Sequence, residues 1–324
     1  MSPTEQQPSA ARLNPDETRK LSPLQLGGLI GPAVLGGIIA VDLVSQVTLW
    51  RKGSTEIIPG VEDPTSETRW LAMPGLGQQN GYFIAERLND ILPGTIDYAT
   101  LSERGISGRN IGQTLRGYYQ AYYPSTPSAS QNVLLSSAGL PMFLMGVEWC
   151  RQHDIPIPTI DHIMAFGSPL GAQHTFMEKQ VKLAARCPYP GGMLSKLSIE
   201  LYQRYQHEKF QLAGLGRTAL SALKISYRDY SPALWSSVVR TIARENSPPG
   251  IFTDVITPDT TFWYFADRND PIVRAPDVPE DLDKRLVKPY GARLVVVDVT
   301  GDGHATIGPK TRQHISRQFM PEAA

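Results

Sequence analysis

Cysteine is nearly absent from this 324-residue sequence, which holds only Cys150 and Cys187. Two thiols are too few to staple a scaffold and lack the paired spacing of a zinc site, leaving either one disulfide or two buried free thiols. Net charge is absent as well, since 31 Lys and Arg balance 31 Asp and Glu. A neutral chain with no RNA- or DNA-binding signature excludes nucleic acid as a partner. The six histidines (His153, His162, His174, His207, His304 and His314) include none four residues from another, so no metal is expected. Missing too is an unbroken apolar run of full bilayer length. Residues 26–41 carry no charged or strongly polar side chain, yet Asp42 interrupts the longer segment 21–50, and about 20 apolar residues are needed to span a bilayer.

What is present divides the chain. Residues 1–20, rich in Pro, Gln, Ser and charge and without apolar periodicity, are expected to form a disordered leader. Residues 21–50, flanked by Arg19-Lys20 and Arg51-Lys52, are expected to be a membrane-anchor helix. Gly27 with Gly31, and Ala33 with Gly37, give the small-residue spacing that lets membrane helices approach closely. A secretory signal peptide or a buried glycine-rich helix are the alternatives, and no small-x-small cleavage site follows the segment. The expected location is therefore a membrane, with secreted or cytoplasmic as alternatives, and equal positive charge on both flanks leaves orientation open. Residues 51–68 read as a linker.

From Arg69 onward strand, glycine turn and helix alternate. Strands are expected over 69–73, 95–100, 132–135, 162–166, 261–265 and 293–298. Helices are expected after residue 82, over 110–122, after Gly139 and over 307–320. Such alternation implies an α/β architecture, a mostly parallel sheet with helices on both faces. Between Gly171 and Thr253 it stops: Leu194, Leu197, Leu201 and Tyr205 recur at helical spacing. This insertion is locally basic, with nine Lys or Arg between Lys179 and Arg228 against Glu200 and Glu208. Such a run is either a solvated face or a contact for acidic head groups or an anionic substrate.

Three strand ends carry chemistry. The apolar strand over 132–135 runs into a helix through Ser136, Ser137, Ala138 and Gly139, the setting in which a nucleophile elbow of the form G-x-S-x-G presents its serine. With Ser137 as nucleophile, Gly139 occupies the second glycine position and Leu135 the first; with Ser136 the two positions hold Leu134 and Ala138, a poorer fit. A serine and glycine after a strand can also simply cap a helix. Upstream, Met73-Pro-Gly-Leu-Gly77 follows an apolar strand, so that backbone N–H groups of Leu76, together with Ala138 at the elbow, can face a developing oxyanion. As a dinucleotide loop this stretch fails, because Gly75, Gly77 and Gly81 are misspaced for G-x-G-x-x-G. Downstream, Asp267 and Asp270 sit just past the strand at 261–265, and His304 lies in the glycine-rich loop after the last strand.

In the order Ser, Asp, His, residues 69–320 resemble the α/β-hydrolase superfamily, over about three quarters of the chain. Pro-Gly-Leu-Gly is similar to the family's oxyanion loop, which more often begins His-Gly. Asp270-Pro-Ile-Val273 resembles its acid motif, which carries the acid role to Asp270 ahead of Asp267, and Gly301-Asp-Gly-His304 carries the base role to His304. The resemblance implies an α/β-hydrolase core over 69–170 and 254–324 with a helical cap over 171–253. It implies a serine hydrolase with Ser137, Asp270 and His304 as its triad and Leu76 and Ala138 as oxyanion donors, needing no cofactor. The expected substrate is a small-molecule or lipid carboxylic ester. Leu135 in the first glycine position supports the alternative, a catalytically silent hydrolase fold acting as a membrane-tethered binding protein.

Overall fold

Short apolar runs separated by glycine turns favour strands that bury both faces, because a side chain points to alternate sides of a sheet at each residue. The computed structural model describes residues 55–122, 130–186, 232–244 and 251–320, except 64, 65, 77, 79, 103, 104 and 177, and also Gly36, Gly37 and Ala40. In chain order its elements are β1 (Glu56–Ile58), β2 (Arg69–Met73), α1 (Tyr82–Leu88), β3 (Thr95–Thr100), α2 (Gly108–Tyr122), β4 (Gln131–Ser136), α3 (Gly139–Gln152) and β5 (His162–Phe166). There follow α4 (Glu178–Arg186), α5 (Pro232–Ala243), β6 (Thr261–Ala266), α6 (Val278–Leu282), β7 (Arg293–Asp298) and α7 (Pro309–Phe319). The six expected strands agree with β2 to β7 to within a residue at each end.

The strands form one sheet in the order β1-β3-β2-β4-β5-β6-β7, parallel throughout except where β1 pairs antiparallel with β3. Trp70, Ala72, Leu134, Met164, Phe166, Trp263 and Phe265 face α1 and α7, where Ile84, Leu88 and Ile315 meet them. Their neighbours Leu71, Met73, Val133, Leu135, Ile163, Ala165 and Phe262 face the other way, against Ile111, Leu115, Phe143 and Val147 of α2 and α3. Each such side chain taken fully from water contributes about 1.5–3 kcal/mol. This is the α/β-hydrolase fold. Since β3 lies on one side of β2 and β4 on the other, the loops leaving β2 and β4 part at their carboxyl ends, the crevice where such sheets place a site.

Two regions carry structure that the sequence reading did not specify. Part of the expected linker 51–68 forms β1, a three-residue edge strand too short to show alternation; the Gly60 N–H donates to the buried Asp97 carboxylate at 2.9 Å and ties it down. Within the expected cap 171–253, α5 packs on α3 and on the loop before α2, its Thr241 hydroxyl meeting Met145 Sδ at 3.7 Å and its Ser237 hydroxyl accepting the Ile106 N–H at 2.9 Å. Its Leu234, Val238, Val239 and Ile242 are buried in the same cluster as Leu71 and Val133.

The expected leader 1–20, most of the expected anchor 21–50, Cys187 and the helical repeat at Leu194 to Tyr205 lie outside the described residues. Among the described residues no helix is long and apolar enough to cross a membrane. Cys150 is a buried free thiol donating to the Gly112 carbonyl at 3.2 Å, and burial pushes it up to about 11.

Candidate active site

Strand β4 ends at Ser136, fully buried, and the chain turns sharply into α3. Ser137 makes that turn at φ 45°, a left-handed conformation uncommon for a residue with a side chain and one that lifts the side chain clear of strand and helix alike. The Ser137 N–H donates to the Phe166 carbonyl of β5 at 2.9 Å and pins the strained residue to the sheet. Leu135, in the first glycine position, is a strand residue paired with Met73 and Ala165 and wholly buried. The tight approach is supplied elsewhere. A Cβ on Gly75 would lie 2.6 Å from Ser137 Cβ, and one on Gly139 would lie 2.8 Å from the Met73 carbonyl oxygen. Loop and elbow therefore meet backbone to backbone without a glycine at 135.

The three residues expected to act together do meet. His304 Nε2 lies 2.9 Å from Ser137 Oγ, and His304 Nδ1 lies 2.7 Å from Asp270 Oδ2. Asp270 is acceptor only when ionised, so the bonds assign the tautomer: Nδ1–H donates to Asp270, and Nε2 accepts from the serine hydroxyl. The other oxygen of Asp270 accepts the Ile272 and Val273 N–H groups at 2.8 and 2.9 Å, which fixes the buried carboxylate on its turn. Ser136 has no part in this path. Its hydroxyl is directed to Gln78 Oε1 at 3.3 Å and the Ala305 carbonyl at 3.4 Å. Nor does Asp267 touch His304; its carboxylate accepts backbone N–H groups of Asn269, Gly301 and Gly303.

Leu76 lies in the turn after β2, and Ala138 is the residue preceding α3. Among the described residues neither backbone N–H has a protein acceptor; Gly77 falls outside them. The turn is held by a residue the sequence does not mark. Gln78 Oε1 accepts the Gly75 N–H at 2.8 Å and the Ser136 hydroxyl, fastening the loop after β2 to the elbow after β4. Tyr264, fully buried on β6, has its phenol pushed well above the ordinary range by burial and then by the charge of Asp270. Among the described residues no group of three or more His, Cys, Asp and Glu side chains could hold a metal ion. Chemically, the arrangement can draw a proton from Ser137 and hold the resulting imidazolium against a fixed carboxylate.

No protein-family model matches the chain, and no curated protein matches it. Solved structures do match in fold. The structure of MenH from S. aureus superposes with a TM-score of 0.51 at 10% identity, covering 82% of this chain and 96% of that one. A lipase-esterase related protein from Clostridium acetobutylicum ATCC 824 does so with a TM-score of 0.50 at 10% identity, covering 82% of this chain and 99% of that one.

Proposed function

We propose that this protein is a serine hydrolase that cleaves a carboxylic ester through an acyl-enzyme intermediate. The observation that carries the reading is the unbroken path from Ser137 Oγ through His304 to Asp270, starting at a serine held in left-handed backbone. Ser137 Oγ attacks the ester carbonyl carbon as His304 Nε2 takes its proton. The N–H groups of Leu76 and Ala138 receive the oxyanion, each such donor being worth about 3 kcal/mol. His304 then gives the proton to the departing alkoxide, and water, deprotonated in its turn by His304, releases the acid and restores Ser137. Asp270 holds the tautomer and stabilises the imidazolium in both halves.

A small-molecule or lipid ester is the substrate class in this reading, and attachment to a membrane through residues 21–50 is part of it, supported by that segment's composition. The test is covalent labelling by a fluorophosphonate together with hydrolysis of p-nitrophenyl esters of increasing acyl length. Labelling of the wild type and its loss in Ser137→Ala is the expected result; a folded wild type that neither labels nor hydrolyses any ester overturns it.

A further inference from the structure

The loop that carries His304 has little packing of its own. Val299, Ala305 and Ile307 bury its ends, but residues 300–304 between them are partly or fully exposed. Hydrogen bonds hold that middle stretch, and they alternate in direction. Gly301 and Gly303, at φ 103° and 97°, both turn their N–H groups onto Asp267 Oδ2, at 3.1 and 2.7 Å. Asp302 between them reaches the opposite way, accepting the Thr311 N–H and hydroxyl, each at 2.8 Å, at the start of α7. His304 follows directly.

Asp267 is itself tied to its own turn. It is buried, its Oδ1 accepts the Asn269 N–H at 2.8 Å, and its carbonyl accepts the Asp270 N–H at 3.1 Å. Asp267 and Asp270 thus share one turn after β6, the first gripping the backbone before His304 and the second gripping its ring. A carboxylate suits the position because three N–H groups converge on two oxygens and no donor is wanted; bonds to a charged acceptor are also shorter and stronger than neutral ones.

We infer that Asp267 is a positioning residue for the hydrolysis proposed above: by tethering Gly301 and Gly303 it sets where His304 stands between Asp270 and Ser137. The inference rests on the serine-hydrolase reading for its effect on rate, while the tether can be observed without it. Asp267→Asn keeps the shape but turns an NH2 group toward at least one of the converging N–H groups.

The test compares wild type and Asp267→Asn by fluorophosphonate titration of active sites, steady-state hydrolysis of p-nitrophenyl butyrate, and the far-downfield proton resonance of His304 Nδ1–H. The expected result is a kcat per titrated site lower by about 10²-fold, the scale of an ångström's misplacement of a reacting group, with KM little changed and the downfield resonance lost or broadened. Unchanged kcat per titrated site overturns the inference, whether the number of sites is unchanged or reduced, since fewer sites at full rate is a stability effect alone. Should the variant not fold, amide exchange in the wild type decides: protected Gly301 and Gly303 N–H groups in an exposed loop support the tether, and free exchange overturns it. A wild type that takes no label sinks the hydrolase reading instead, and the resonance still reports whether Asp267 positions the ring.

Discussion

Ser136 and Ser137 are adjacent and chemically alike, yet their surroundings give them opposite prospects. Ser137→Ala should lower hydrolysis by several powers of ten with no change in thermal stability beyond a few degrees, because a hydroxyl is removed and no bulk is added. Ser136→Ala should leave labelling at Ser137 intact and shift activity mildly, through the loss of its contacts to Gln78 and Ala305. The reverse ranking would place the nucleophile at 136. Gly75→Ala is the sharper probe of the loop above the elbow. Its new Cβ would meet Ser137 Cβ at 2.6 Å, so the loop must lift, and kcat/KM should fall by about 10²-fold. Full activity in that variant would mean that the loop can retreat without cost.

Other residues act through protonation. Burial holds the imidazoles of His162, His174 and His314 below the ordinary value of 6.5, in His162 and His174 against the opposing pull of Asp161 and Asp281. The native state therefore resists protons that the unfolded chain accepts. Stability from these groups is complete above about pH 6.5 and is lost as pH falls through the lowered native values. The urea midpoint should drop between about pH 7.5 and about pH 5.5, and His162→Phe should flatten the slope by at most one proton's worth, about 1.4 kcal/mol per pH unit. A midpoint that does not move over that range would show that these rings protonate freely in the native state.

At the scale of elements, α5 tests how the insertion is divided. Leu234 is wholly buried in the core cluster it shares with α3, so Leu234→Ala should cost about 2–5 kcal/mol, measured by denaturant unfolding. A cost near zero would return α5 to a detachable cap. Here the limits of sequence reading become physical. Strands β2 and β4 to β7 were legible because each holds an apolar run bounded by turn residues, and Ser137, Asp270 and His304 were legible because each stands just past such a run. Gln78 and Asp267 were not, because a polar loop residue declares no partner: Gln78 reaches Ser136 and Asp267 reaches Gly301 and Gly303 only once the sheet has brought their strands together. The short β1 was hidden for a different reason, since its three residues are held by pairing with β3 and are too few to show a period of their own.

At the scale of the molecule, the proposal of a membrane anchor separates cleanly from the catalytic unit. The full chain should sediment with membranes and resist carbonate extraction. A chain beginning at Gly53 should remain in solution and keep its activity, since it retains Thr55, whose carbonyl accepts the Thr114 hydroxyl, and all of β1. Leu35→Lys should cost about 3 kcal/mol of insertion free energy and shift the full chain toward the soluble fraction. A full chain already soluble, or a shortened one that fails to fold, would assign residues 21–50 to the globular part.

The pairing of β5 with β6 spans all of residues 167–260, and this shapes how the protein is made. A ribosome delivers β2, β4 and the nucleophile well before the acid and the base, so the nascent chain waits with β5 as a bare, strongly apolar edge. Closing so long a loop costs only slightly more entropy than closing one half its length, about 0.6 kcal/mol per doubling, but non-local parallel pairing of this kind is slow. During that interval the exposed edge is open to other nascent chains, which makes this step the one where a chaperone would matter most and where synthesis at high concentration would lose product to aggregates.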